Sequence, residues 1–232
     1  MFHVRKSQER GFANHGWLKS YHSFSFADYY DPDHMGWGNL RVINEDRIDP
    51  GQGFGAHPHR DMEIVSYVMT GALAHKDSMG NGTRIEPGDV QRMTAGTGVV
   101  HSEFNAADEV THFLQIWILP SQRGLTPGYE QQRFEPETKQ GQMRLVASPM
   151  GEGGGVKLNA DARIYAGLLD GTDAITLDLP VGRKGYLFLV KGAVCASGWT
   201  LQAGDALLVE HEDKVDITDA RGAELIWFDL AP

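Results

Sequence analysis

Short apolar runs alternate with turn residues along most of the chain. Leu40–Ile48, Met62–Met69, Thr111–Leu119, Gly185–Val190, Ala206–Glu210 and Ala223–Leu230 are rich in Val, Ile, Leu, Phe and Trp. Bounded by Gly, Pro, Asp or Asn, they predict strands. No long stretch carries a helical period, so the pattern predicts an all-β sandwich or barrel. Within Thr111–Leu119, Phe113, Gln115, Trp117 and Leu119 fall on one face, and His112, Leu114, Ile116 and Ile118 on the other. Both faces are mostly apolar, which predicts a strand covered on both sides. Gln115 is its polar exception and a candidate for lining a pocket, whereas His112 reads as a boundary residue.

Two segments repeat one unit. Tyr67-Val-Met-Thr-Gly71-Ala precedes Ile85-Glu-Pro-Gly88-Asp89-Val, and Phe188-Leu-Val-Lys-Gly192-Ala precedes Leu201-Gln-Ala-Gly204-Asp205-Ala. Each predicts a strand ending at a Gly turn, a second strand, and a Gly-Asp turn into a third. Such a repeat implies two similar barrels, the first over residues 1–134 and the second over residues 135–232. The connector falls within Gln131–Asn159, which holds the flexible Gly151-Glu-Gly-Gly-Gly155 and one predicted strand, Met143–Ala147.

Composition narrows the function classes. Twenty-one basic against 31 acidic side chains give a net charge of −10, which repels nucleic acid and anionic membrane surfaces. The single cysteine, Cys195, excludes an intrachain disulfide and reads as a small core residue. Residues 1–11 hold no apolar run and no later stretch is long enough to span a bilayer. The expectation is a soluble, cytoplasmic protein.

Of ten histidines, only His211 lies beyond residue 112, so only the first of the two barrels carries histidine ligands. The densest signal is Gly51-Gln-Gly-Phe-Gly-Ala-His57-Pro-His59-Arg-Asp61-Met-Glu63. Alternate residues of a strand share a face, so His57 and His59 point together, as do Asp61 and Glu63 if no bulge intervenes. Pro58 favours an edge strand. A second element, Gly96-Thr-Gly98-Val-Val-His101-Ser-Glu103, pairs His101 with Glu103 at the same spacing. Three imidazoles and a carboxylate make a mixed N/O site with room for exchangeable ligands, suited to Fe, Zn, Ni, Cu or Mn.

These residues resemble a known family. Gly51–Glu63 is similar to the first motif of the cupins. The second cupin motif departs, because Gln91 stands where many cupins have their last histidine. Thr94-Ala-Gly-Thr-Gly98-Val-Val-His101-Ser-Glu103, His22-Ser-Phe-Ser-Phe-Ala-Asp-Tyr-Tyr-Asp-Pro and Gly38-Asn-Leu40-Arg-Val-Ile-Asn-Glu-Asp resemble the pirin branch over residues 3–134. The resemblance implies two cupin-type jelly-roll barrels. It implies one divalent metal in the N-terminal barrel, Fe(II) before Zn, Ni, Cu, Mn or Co, on His57, His59, His101 and Glu103, and a metal-free C-terminal barrel. An ordinary cupin would use Glu63 as its carboxylate. In the pirin arrangement Glu63 becomes a buried acid outside the ligand set, with Arg60 or a ligand histidine as partner.

The resemblance further implies a dioxygenase similar to quercetin 2,3-dioxygenases. Its substrates would be a small flavonol-like aromatic and O₂, Glu103 would take the substrate hydroxyl proton, and ring cleavage would release carbon monoxide. Two other readings stay open: a non-enzymatic metal- and redox-sensing regulator that binds a protein partner, and a zinc-type hydrolase or hydratase. His75 reads equally as a pocket residue or a solvated loop residue. Tyr21, Phe24, Phe26, Tyr29 and Tyr30 read as core or lid, and Phe54 and Met69 as candidate cavity lining.

Overall fold

The computed structural model describes all 232 residues and is built from three β-sheets. Two sheets form the N-terminal barrel. One is seven-stranded, in the order Gly128–Arg133, Asp89–Thr94, Glu63–Thr70, Thr111–Ile118, Leu40–Ile48, Leu18–His22 and Gly11–Asn14. The other is four-stranded, in the order Gly53–His59, Val99–Asn105, Leu73–Asp77 and Gly82–Ile85. The nine-stranded sheet forms the C-terminal barrel. The helical elements are three-residue 3₁₀ turns, and no helix is long and apolar enough to cross a membrane.

The repeat read from the sequence is a structural one. Gly71 and Gly192 both take positive φ, and a Cβ would run into Thr111 at the first and into the Arg221 and Gly222 carbonyls at the second. Only glycine meets both demands. The two Gly-Asp turns are built alike. Asp89 N–H donates to Glu86 O at 2.9 Å while Asp89 Oδ2 accepts from Glu86 N–H at 2.9 Å. Asp205 N–H donates to Gln202 O at 2.9 Å, and Asp205 Oδ2 accepts from Gln202 N–H at 3.0 Å.

Thr111–Ile118 is covered on both faces for a specific reason. Leu114, Ile116 and Ile118 join a 26-residue core that also contains Val146, Ile164, Tyr186, Phe188, Ile226 and Phe228 of the C-terminal half. Phe113, Gln115 and Trp117 face the interior of the N-terminal barrel. The two barrels therefore pack through one continuous apolar layer. Residues 2–5, which a boundary at 134 assigns to the first barrel, are hydrogen-bonded in the C-terminal sheet. Phe2 to Arg5 run antiparallel to Ala206–Val209. Cys195 is half-buried on Lys184–Ala196, a strand beside the smaller C-terminal core.

Candidate metal centre

Gly53–His59 is the edge strand of the four-stranded sheet, as Pro58 anticipates. It runs antiparallel to Val99–Asn105 with His57 opposite His101 and His59 opposite Val99. The register then shifts, so that Glu103 faces Phe54. Gly55 and Ala56 on one strand thus oppose the single Ser102 on the other, a bulge of the kind that re-aims side chains at sites. Ring centroids are 4.4 Å apart for His57 and His101, and 4.8 Å for His57–His59 and for His59–His101.

The hydrogen bonds choose a tautomer for three rings. His57 Nδ1–H donates to Gly55 O at 2.7 Å, which leaves Nε2 with its lone pair. Asp77 Oδ2 sits 3.1 Å from His75 Nε2, so that nitrogen carries the proton. His75 Nδ1, 3.4 Å from His101 Nδ1, then accepts from His101 and leaves His101 Nε2 as a lone pair. His59 Nε2 and His101 Nε2 are buried with no hydrogen-bond partner. Two orphaned imidazole nitrogens converging with a third fit a metal ion better than any hydrogen-bond network, because each lone pair lacks a donor.

Electrostatics agree with that fit. Burial, aided by the other imidazoles, brings His59 down to about 4 and His101 down to about 2, so both are neutral near pH 7. Burial pushes Glu103 up to about 7, against the hydrogen bond from Gln115. Glu103 Oε2 accepts from Gln115 Nε2 at 2.7 Å, and Oε1 from Ser66 Oγ at 3.4 Å. Donor atoms of His57, His59 and His101 lie within 4.8 Å of one another, as do those of His75, His101 and Glu103. His101 is the member common to both groups; Glu103 is not within the three-imidazole group.

A cavity of about 550 Å³ opens beside these residues. His57, His59, Glu103, Gln115, Phe54, Phe26 and Trp117 line it. Trp117 stands edge-on to His59 at 4.9 Å. Phe26 and Tyr29 of the N-terminal aromatic cluster reach this cavity, Phe24 is buried against Tyr186, and Tyr30 is exposed. Met69 packs on the shared core instead.

Glu63 does not share the face of His57 and His59. Asp61, at φ 49°, breaks the strand in the left-handed region, and Glu63 opens the next strand in the other sheet. There Ile64, Ser66 and Val68 point into the barrel, while Glu63 points with Val65 and Tyr67 toward the C-terminal half. Its partner is the Asn159 N–H, which donates to Oε2 at 3.0 Å. Arg60, offered as a partner from the sequence, is exposed and stands 3.7 Å from Asp61. Gln91 faces the barrel interior opposite Ser66, with neither polar side-chain atom partnered.

Of the two readings open for His75, the structure takes the pocket one, and it adds Asp77, which the sequence did not single out. His75 is buried on Leu73–Asp77, paired opposite Glu103, and Asp77 lies opposite His101. The His-Lys-Asp alternation was the available signal, but placing it on a strand required the sheet order. His112 is satisfied at the boundary, with Nε2 2.9 Å from Glu45 Oε1. In the C-terminal barrel, the antiparallel pair Ile175–Asp178 and Lys214–Leu230 sets Leu177 opposite Val215 and Ile175 opposite Ile217. Leu177, Val215 and Ile217 are buried in an apolar cluster with Val194 and Leu201. His211 stands at a turn with φ 58° and belongs to neither donor group.

Comparison with known proteins identifies the family. A family model described as Pirin matches residues 3–118, and one described as quercetinase C-terminal cupin domain matches residues 145–230. The chain is 45% identical over 233 residues to the quercetin 2,3-dioxygenase of Escherichia coli strain K12, covering 100% of both. It is 41% identical over 222 residues to a pirin-like protein of Caulobacter vibrioides, covering 95% of this chain and 96% of that one. The crystal structure of an E. coli bacterial pirin in complex with nickel(II) superposes with a TM-score of 0.95 at 44% identity, over 100% of each chain.

Proposed function

The chain belongs to the pirin family, and on that premise we propose that it is a metal-dependent dioxygenase of the quercetin 2,3-dioxygenase kind, acting on a flavonol-like aromatic and O₂. We assign its divalent metal to His57, His59, His101 and Glu103. The observation that carries this reading is the pair of orphaned nitrogens, His59 Nε2 and His101 Nε2, beside an aromatic-lined cavity. Three imidazoles and a carboxylate serve Fe(II) and the nickel(II) held by the E. coli pirin equally well in donor type.

A divalent ion held there supplies positive charge that acidifies a hydroxyl brought to it. Glu103 then has a definite task. Held by Gln115 and Ser66 and buried, it is placed to take the proton of a flavonol 3-hydroxyl as general base. Phe26, Phe54 and Trp117 give flat apolar walls that exclude water and orient a ring system. The overall change balances as one flavonol plus one O₂ giving one ring-opened ester and one carbon monoxide. The test is oxygen uptake with a flavonol panel by metal-loaded protein. Stoichiometric metal with no uptake on any flavonol removes the dioxygenase reading and favours a regulatory one.

His75 has a separate expected effect. It holds His101 in the tautomer that frees Nε2, and Asp77 holds His75 in turn. His75→Phe therefore lowers metal affinity by roughly 10–100-fold, measured by competition with a chelator. Unchanged affinity rules out this orienting role.

Metal affinity also depends on pH in a set direction. Below about 7 the metal-free Glu103 holds a proton that a metal must displace, while His59 and His101, brought down to about 4 and about 2, hold none near neutrality. Affinity rises as pH increases from 5 to 7, by up to about tenfold per unit for one proton. Isothermal titration in buffers of different ionisation heat counts the proton, and Glu103→Gln flattens the slope.

A further inference from the structure

The cavity has a second polar wall with no role in holding the metal. Ser20, His22, Asn44 and Asp46 line it, and each is at least nine-tenths buried. They come from two neighbouring strands in register, with His22 opposite Asn44 and Ser20 opposite Asp46. The next strand places Gln115 opposite Asn44. At about 5 Å between adjacent strands, this wall stands about 5 and about 10 Å from the strand carrying Gln115, the residue that holds Glu103. That span matches a fused two-ring aromatic nucleus.

The wall is only partly satisfied from within. His22 Nδ1–H donates to Asn44 Oδ1 at 2.8 Å, and Ser20 Oγ lies 3.4 Å from His22 Nδ1. Asp46 Oδ1 is buried with no partner at all. The nearby cations are committed elsewhere: Arg10 and Arg47 both pair with Glu45, at 2.8 and 2.9 Å. Glu45 lies between Asn44 and Asp46 in sequence and so points to the other face of the strand. A buried carboxyl oxygen with no partner and no cation beside it favours a neutral ligand that brings its own hydroxyl.

We propose that Ser20, His22, Asn44 and Asp46 form a second subsite that binds a phenolic hydroxyl of the substrate remote from the metal, with Asp46 accepting its hydrogen bond. The proposal rests on the flavonol reading above and adds to it a preference for polyhydroxylated over unsubstituted flavonols.

The test measures dissociation constants on the full-length, metal-loaded protein. The probes are quercetin, its methyl ethers at hydroxyls other than the 3-hydroxyl, and 3-hydroxyflavone. Quercetin is expected to bind about tenfold or more tighter than 3-hydroxyflavone, and at least one methyl ether should lose that advantage. In Asp46→Asn and in Asn44→Ala, with metal content and melting temperature checked, the quercetin to 3-hydroxyflavone ratio should fall toward one. A ratio near one in the unmodified protein, or a ratio preserved in both variants, overturns the subsite. The methyl ethers keep the test decisive if a variant does not fold. A hydroxyl-dependent ratio without oxygen uptake leaves the subsite standing and removes the dioxygenase reading. Oxygen uptake with no hydroxyl preference does the reverse.

Discussion

His101→Ala yields a folded protein that no longer retains stoichiometric metal. His101 is common to both donor groups, and its Nε2 is buried without a partner. Losing the histidine that orients it costs roughly 10–100-fold in affinity, so losing the ligand itself costs more than about 100-fold. The fold does not depend on the metal in the same way. The 26-residue apolar layer between the barrels contains none of the four candidate ligands. Elemental analysis after dialysis, beside a melting curve, checks both halves of the result. Full occupancy in His101→Ala would exclude this site.

Glu103→Gln separates metal binding from turnover. The amide keeps an oxygen donor, so part of the metal stays, but it cannot take a proton. Loss of a general base costs roughly 10²–10⁴-fold in rate, read as kcat for flavonol-dependent oxygen uptake. Glu63→Gln is the control, because Glu63 points away from the barrel interior and holds the Asn159 backbone. It leaves metal content and kcat unchanged and lowers the melting temperature by weakening a contact between the halves. If instead Glu63→Gln strips the metal and Glu103→Gln behaves as the unmodified protein, the carboxylate belongs to the ordinary cupin arrangement.

Much of this was legible along the chain. Leu40–Ile48 and Ala206–Glu210 form as their apolar runs and turn residues predict, because strand length and boundary chemistry are local. The repeated Gly-Asp turns carried the duplication for the same reason. Period-2 alternation placed His57 with His59 and His101 with Glu103, but it carried Asp61 and Glu63 too far, since a left-handed residue at position 61 resets the face. What was not legible depends on which strands become neighbours. His75 and Asp77 meet His101 only through the pairing of Leu73–Asp77 with Val99–Asn105. Ser20, His22, Asn44 and Asp46 become one wall only through the pairing of Leu18–His22 with Leu40–Ile48. The exchange of Phe2–Arg5 into the C-terminal sheet likewise leaves no local mark.

Metal-dependent ring cleavage is tested most directly by the stoichiometry of gas exchange by anaerobically metal-loaded protein given quercetin and O₂. One O₂ consumed and one carbon monoxide released per flavonol are expected, with both lost in His101→Ala. Stoichiometric metal bound by His57, His59 and His101, with neither O₂ consumed nor carbon monoxide released on any flavonol, would contradict ring cleavage.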